Sequence, residues 1–256
     1  MTTLKEVCLT WYPHLFNIPD NRYLAIGEAS VSILDENFEV EQFVSLPIHR
    51  SNCVVNFNSS SPTVEIVAPD LKSTFDITNI TNIRQDVVHD SRIHQVNFVI
   101  QIDGKAVYGT EKGLFTLNET FEPYDSPFKN CSRLLSEENK GFIITGIVNE
   151  GNKPISGTYF YDGKTVKMVG PFLEFQSAHA TLDNRYVLVK WTDLEIIDAK
   201  NYKVLYTELL PVGFISSKTS CIANNNLIIA DSYNKGILVK PLQHLVNTKT
   251  IFGFNF

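Results

Sequence analysis

Asp20-Asn21-Arg22-Tyr23 recurs unchanged as Asp183-Asn184-Arg185-Tyr186, and the residues after each copy are shared as well. The first copy continues through Leu24-Ala25-Ile26, Val31 to Asp35, Phe38 and Val40, and closes at Leu46-Pro47. The second continues through Val187-Leu188-Val189, Leu194 to Asp198, Tyr202 and Val204, and closes at Leu210-Pro211. Tyr-to-Asp is twelve residues in both copies, and the copies are offset by 163, roughly four times 41. Short apolar runs separated by turn residues at a period of about 40 to 45 mark a blade-by-blade repeat, the β-propeller. Six blades of about 41 residues fill 256 residues, with seven as the alternative count.

Weaker copies fill the interval. Ala106-Val107-Tyr108 precedes Leu114 to Asn118 and Phe121, and Phe142-Ile143-Ile144 precedes Thr158 to Asp162, Val166 and Met168. Leu227-Ile228-Ile229 precedes Gly236 to Lys240. The second repeat is the most degenerate, with Val64 to Val67 and Thr74 to Ile77 as its best strands. Third strands are expected to end near 35, 69, 118, 162, 198 and 240. Asp103-Gly104, Asp162-Gly163 and Asn234-Lys235-Gly236 have the chemistry of tight hairpin turns. The 17 Phe and 10 Tyr favour strands, and no useful helical periodicity is present. The expected class is all-β.

Ile18-Pro19-Asp20-Asn21-Arg22-Tyr23-Leu24-Ala25 resembles the turn between the first two strands of WD40-type blades, commonly Ser-Pro-Asp-Gly-Arg-Tyr-Leu-Ala. The runs ending at Asp35, Asp162 and Asp198 are similar to that family's third-strand ending, with Leu34, Tyr161 and Ile197 in the place of its Trp. The family's Gly-His pair is missing. The resemblance implies a generic WD40-like propeller and identifies no function.

A propeller closes its ring to hide strand edges. One domain spanning 1–256 is expected, with 5–12 and 249–255 meeting to close it.

Composition excludes some roles. A formal charge of −6 and a pI of about 5.5, without a Lys/Arg cluster, argue against a nucleic-acid ligand and favour a basic protein partner. No apolar stretch reaches the length of a membrane span, and the opening residues lack a secretory pattern. The four cysteines (Cys8, Cys53, Cys131, Cys221) are widely spaced, as expected of free thiols in a cytoplasmic protein.

Three groups carry candidate chemistry. His14, Cys53, His94, Cys131, His179 and Cys221 fall near the first strand of successive repeats, and first strands line a propeller's channel. Aligned on the repeated turn, however, His14 stands two positions before the place of His179 and Cys221 one after it. A one-residue slip turns a side chain to the other face, so packing is expected of this set. Asp86, His89, Asp90 and His94 lie in a polar segment from 78 to 95, expected as an enlarged loop, where two imidazoles and two carboxylates could ligate zinc or act as acid and base. Tyr124, Phe128, Phe172 and Phe175 follow fourth strands and could anchor a partner, as aromatic residues do at interfaces, or wedge between blades.

Motifs of nucleophilic catalysis and phosphate cradling are absent. The expected function is a non-enzymatic protein-binding propeller, either an interaction scaffold or a dedicated inhibitor or immunity-type protein, with no cofactor. The alternative is a ligand-binding or hydrolytic propeller with its site at the channel mouth, metal-dependent if the residues from 86 to 94 are ligands.

Overall fold

The two sequence copies fold into equivalent four-stranded sheets, strand for strand. In the computed structural model the described residues are 3–6, 14–27, 30–45, 53–57, 62–88, 90–138, 141–181, 183–210, 220–231 and 236–242. After a short strand β1 (Thr3–Glu6), the first sheet comprises β2 (His14–Ile18), β3 (Arg22–Ile26), β4 (Ser30–Leu34) and β5 (Val40–Ser45). The second is β6 (Val54–Phe57), β7 (Thr63–Val67), β8 (Leu71–Asp76) and β9 (Asn79–Val87). The third is β10 (Val96–Ile102), β11 (Lys105–Thr110), β12 (Gly113–Leu117) and β13 (Phe121–Pro123), and the fourth is β14 (Phe128–Glu138), β15 (Gly141–Glu150), β16 (Lys153–Tyr161) and β17 (Val166–Gly170). The fifth is β18 (Ser177–Ala180), β19 (Arg185–Val189), β20 (Asp193–Asp198) and β21 (Val204–Leu209). The last contains β22 (Ser220–Ala223), β23 (Asn226–Asp231) and β24 (Gly236–Pro241), with β1 paired antiparallel to β24 as its fourth strand. Six four-stranded sheets, one per repeat, make a six-bladed β-propeller.

The repeat is carried by specific pairs. Tyr23 faces Leu34 and Tyr186 faces Ile197, all four buried. Tyr23 stacks on Phe38 with ring centroids 4.8 Å apart, and Tyr186 stacks on Tyr202 at 6.4 Å. Phe38 and Tyr202 both take a positive φ, 65° and 59°, a strained conformation for an aromatic residue that tolerates it only when packing holds it. Both copies also carry a bulge in the register with the fourth strand, at Ile33/Leu34 and at Ile196/Ile197.

The Asp that ends the third strand shapes a turn. Asp35 accepts the N–H groups of Asn37 and Glu39, both at 2.8 Å, and Asp198 accepts those of Lys200 at 2.9 Å and Asn201 at 3.0 Å. Asp162 accepts from Lys164 at 2.9 Å and Thr165 at 2.6 Å. These hydrogen bonds, Thr165 first, hold the Asp162 carboxyl down at about 2.

Contacts divide the chain into two units. One contains Met1–Ser51, Ile77–Thr81 and Glu174–Asn255, so it holds the first, fifth and sixth sheets. Within it β22 lies against both β18 and β2. Val187, Leu194 and Ile196 pack with Ile222, Leu227 and Ile229, while Leu15, Tyr23 and Leu34 pack with Ala230 and Ile237. The side-chain amide of Gln42 on β5 donates to Thr78 O at 3.3 Å and accepts the Ile80 N–H at 3.1 Å. The second unit contains Asn52–Asp76 and Asn82–Leu173. Its cores join Val54 and Val67 to Val96 and Tyr108, and Phe98 and Leu114 to Phe128 and Tyr161.

Two expectations are corrected. The third strand of the second repeat ends at Asp76, since residue 69 lies in the bend between β7 and β8. Residues 79–87, half of 78–95, form the nine-residue strand β9 rather than a loop, while 88 and 90–95 form no strand. An outermost strand needs few apolar residues, and of β9 only Ile80 is fully buried, so its polar sequence hides the alternation. The expected meeting of 5–12 with 249–255 lies largely outside the described residues. So does the turn at Asn234 and Lys235.

Candidate functional site

The polar segment around residue 90 engages its carboxylates with its own arginines. Arg84 Nε donates to Asp86 Oδ1 at 3.1 Å. Arg92 grips Asp90 with two side-chain hydrogen bonds, 2.9 and 2.8 Å, and its Nη2 also donates to Phe121 O at 2.7 Å. The hydrogen bonds from Arg92 hold the Asp90 carboxyl down at about 2. Glu111 accepts the backbone N–H groups of His94 and Gln95 at 2.8 and 3.0 Å, tying the segment to the turn after β11. His89 lies outside the described residues. Among the described residues no group of three or more His, Cys, Asp and Glu side chains is placed to hold a metal.

The His and Cys set does not share one environment. His14, Cys53, Cys131 and Cys221 are buried, whereas His94 is exposed and precedes its strand. Burial drives the Cys131 thiol well above its ordinary range and Cys221 up to about 12, so these thiols are inert packing groups at neutral pH. His179 differs. Its Nε2 lies 2.9 Å from Ser220 Oγ, which also touches Ser177 Oγ. Burial lowers the imidazole to about 4. A nucleophile beside a base is the start of hydrolytic chemistry. Here the base is a weak one, and among the described residues no carboxylate hydrogen-bonds to the ring.

Two of the four candidate aromatics belong to the interior. Phe128 packs edge-on against Tyr159 and Tyr161, with centroids 5.8 and 5.5 Å away, and Phe175 is buried. Tyr124 is half-buried against the same core as Phe128. Phe172, 37% exposed, is the one on the surface. Phe128 begins an inner strand, and an aromatic in that place fills the gap between sheets.

The exposed apolar side chains lie elsewhere, mainly on fourth strands. Val40 and Phe43 stand out on β5, and Val204, Leu205, Tyr206 and Leu209 on β21. Leu209 is 78% exposed. Trp191, about half exposed, lies in the turn entering β20. It adjoins Thr192, whose carbonyl accepts the Leu210 N–H at 2.8 Å, so Trp191 and Leu209 share one end of the blade. In the sequence Val204 serves only to align the repeats. The signal that points to this edge is Val204-Leu205-Tyr206, three consecutive large apolar residues on a strand with one neighbour.

Ion pairs neutralise the charges beside β21. Lys240 on β24 meets Glu208 at 2.5 Å, and Lys190 meets Glu195 at 2.6 Å. The Tyr206 hydroxyl donates to Glu208 at 2.9 Å. Burial alone would raise the Glu208 carboxyl, but the bonds from Lys240 and Tyr206 outweigh it and hold it below the ordinary range. The apolar edge therefore lies in locally balanced charge.

No family model matches the chain, and no curated protein sequence matches it. Solved structures do. The β-propeller domain of Cps50 (Swd1) from Myceliophteria thermophila aligns over 93% of this chain and 99% of its own, with 10% identity and a TM-score of 0.59. Virginiamycin B lyase from Staphylococcus aureus aligns over the same shares, with 11% identity and a TM-score of 0.61. BamB from Moraxella catarrhalis also covers 93% and 99%, with 12% identity and a TM-score of 0.54. What they share with this chain is the fold. The matches include a lyase, so the fold alone does not choose between binding and catalysis. Among the described residues no helix is long and apolar enough to cross a membrane.

Proposed function

We propose that this chain is a non-enzymatic protein-binding propeller, a single domain acting in the cytoplasm. The observation that carries the reading is the group of exposed apolar side chains on the outer strand of the fifth blade, Val204, Leu205, Tyr206 and Leu209, with Trp191 beside them. Large apolar side chains left exposed along one strand edge mark a contact site, and Trp and Tyr are the residue types that dominate interface energetics. The formal charge of −6 supports a partner with net positive charge, steered from a distance. Scaffold, inhibitor and immunity-type roles all fit this reading.

The test is affinity capture on the immobilised chain, followed by reconstitution of each captured protein from purified components. The expected result is at least one saturable complex with Kd at or below about 10 μM, a free energy of roughly −7 kcal/mol. The proposal fails if every captured protein binds more weakly than this, or equally well to a chain with Trp191, Tyr206 and Leu209 replaced by Ser.

A further inference from the structure

Outer strands of a propeller are open sheet edges, and folded proteins blunt such edges by shortness, Pro, charge or cover. Most outer strands here follow that rule. β13 has three residues, ends in Pro123, and has its Phe121 carbonyl occupied by Arg92. β9 is lined with Asn79, Asn82, Arg84, Gln85 and Asp86, with Val87 exposed at its end, β17 carries Lys167 beside an exposed Met168 and ends at Gly170, and β1 is four residues long. β5 carries Glu41, and its Gln42 is engaged with residues 78 and 80. Apart from the bulge opposite Ile196/Ile197 at its start, β21 has none of these devices among the described residues. It is six residues long, without Pro, Gly or Lys, and its single charge, Glu208, is consumed by Lys240.

The register shows which backbone groups β21 offers. Antiparallel pairs alternate between those that exchange hydrogen bonds and those that do not. Leu210 N–H donates to Thr192 O, and Leu194 faces Glu208 while Ile196 faces Tyr206. Glu208 and Tyr206 therefore turn their N–H and C=O groups toward β20. Thr207 and Leu209, opposite Glu195 and Asp193, turn theirs to the open edge.

We infer that the edge of β21 is a docking site for an extended segment of a partner protein, which adds to the fifth blade as an additional strand paired to Thr207 and Leu209. This rests on the protein-binding reading and names its site and mode. Backbone pairing supplies the affinity of such an addition, and alternate side chains supply its specificity. The inserted segment is uncharged, with apolar residues at every second position, because the flanking Lys240–Glu208 and Lys190–Glu195 pairs leave no net charge to match. The partner as a whole is basic, since the chain's −6 attracts positive charge and repels a second copy of itself.

The test uses the full chain and a displayed library of random extended peptides. Selected peptides are expected to show alternating apolar positions without Pro, and to lose affinity by about tenfold or more against Leu209→Lys. The same loss is expected when their amides facing β21 are N-methylated, a change that spares their side chains. Phe43→Lys, on the first blade, should leave binding intact. Peptides that bind but ignore Leu209→Lys or N-methylation would overturn the edge site while leaving a protein-binding role in place. Failure to select any binder, together with failure of the capture experiment, would remove both. A free chain that is dimeric by light scattering and becomes monomeric on Leu209→Lys would make the occupant a second copy and overturn the proposed partner.

Discussion

Lowering the pH should destabilise this protein through His179. Its imidazole titrates near 4 in the folded chain because burial disfavours the charged ring, against an ordinary value of 6.5. Between those values the unfolded chain binds a proton that the folded chain does not, so stability rises with pH in that window and is flat from this group on either side. A tenfold change in a group's proton affinity on folding is worth about 1.36 kcal/mol. Since the residue keeps part of its surface exposed, the product, about 3 kcal/mol, is an upper bound on the loss between pH 7 and pH 4. That is a large share of the roughly 5–15 kcal/mol that holds a folded protein together. Urea denaturation across this range on the native chain and on His179→Asn separates the group from the carboxylates, whose contribution both proteins share. The variant should lose the hydrogen bond to Ser220, a cost of about 1 kcal/mol at every pH, and should depend less steeply on pH. Parallel pH profiles for the two proteins between 6.5 and 4 would refute the reasoning. If the variant does not fold, the His179 ring resonance of the native chain should show no protonation above pH 5.

Other perturbations have defined outcomes. Ile197→Ala and Leu34→Ala truncate equivalent buried positions, and each should cost about 2–5 kcal/mol in chemical denaturation; a loss below about 0.5 kcal/mol at either would show that the side chain is not core. Gly113→Ala combines a φ of +116° with a new methyl carbon 2.6 Å from the Phe128 carbonyl oxygen, and should lower stability by about 1–3 kcal/mol. Gly104→Asn, at a φ of +74° with open space around it, should change the denaturation midpoint little, because Asn tolerates that conformation.

The architecture is largely legible in the chain because each blade repeats local chemistry. An Asp that caps its own turn, an aromatic at positive φ and a Tyr opposite an aliphatic residue are all set within about twenty positions, and Asp35, Phe38 and Tyr23 recur as Asp198, Tyr202 and Tyr186. The candidate site is less legible. Whether an aromatic such as Phe128 fills a core or faces solvent depends on the neighbouring sheet, which no local pattern reports. β9 reads as a loop because an edge strand can be polar on nearly every residue. β21 escapes notice for the converse reason, since apolar residues suggest burial until the strand is known to have a neighbour on one side only.

Gln42 bears on how such edges are recognised. Its primary amide gives one hydrogen bond to the carbonyl of Thr78 and takes one from the N–H of Ile80, two residues apart, as a peptide group in a paired strand does. To the backbone at 78–80 the side chain is a surrogate peptide unit. Replacing it with Glu keeps the acceptor and deletes the donor, leaving a carboxylate against the Thr78 carbonyl. The molecule thus contains, at the scale of a single amide, its own example of backbone read by its hydrogen-bonding groups rather than by side-chain identity.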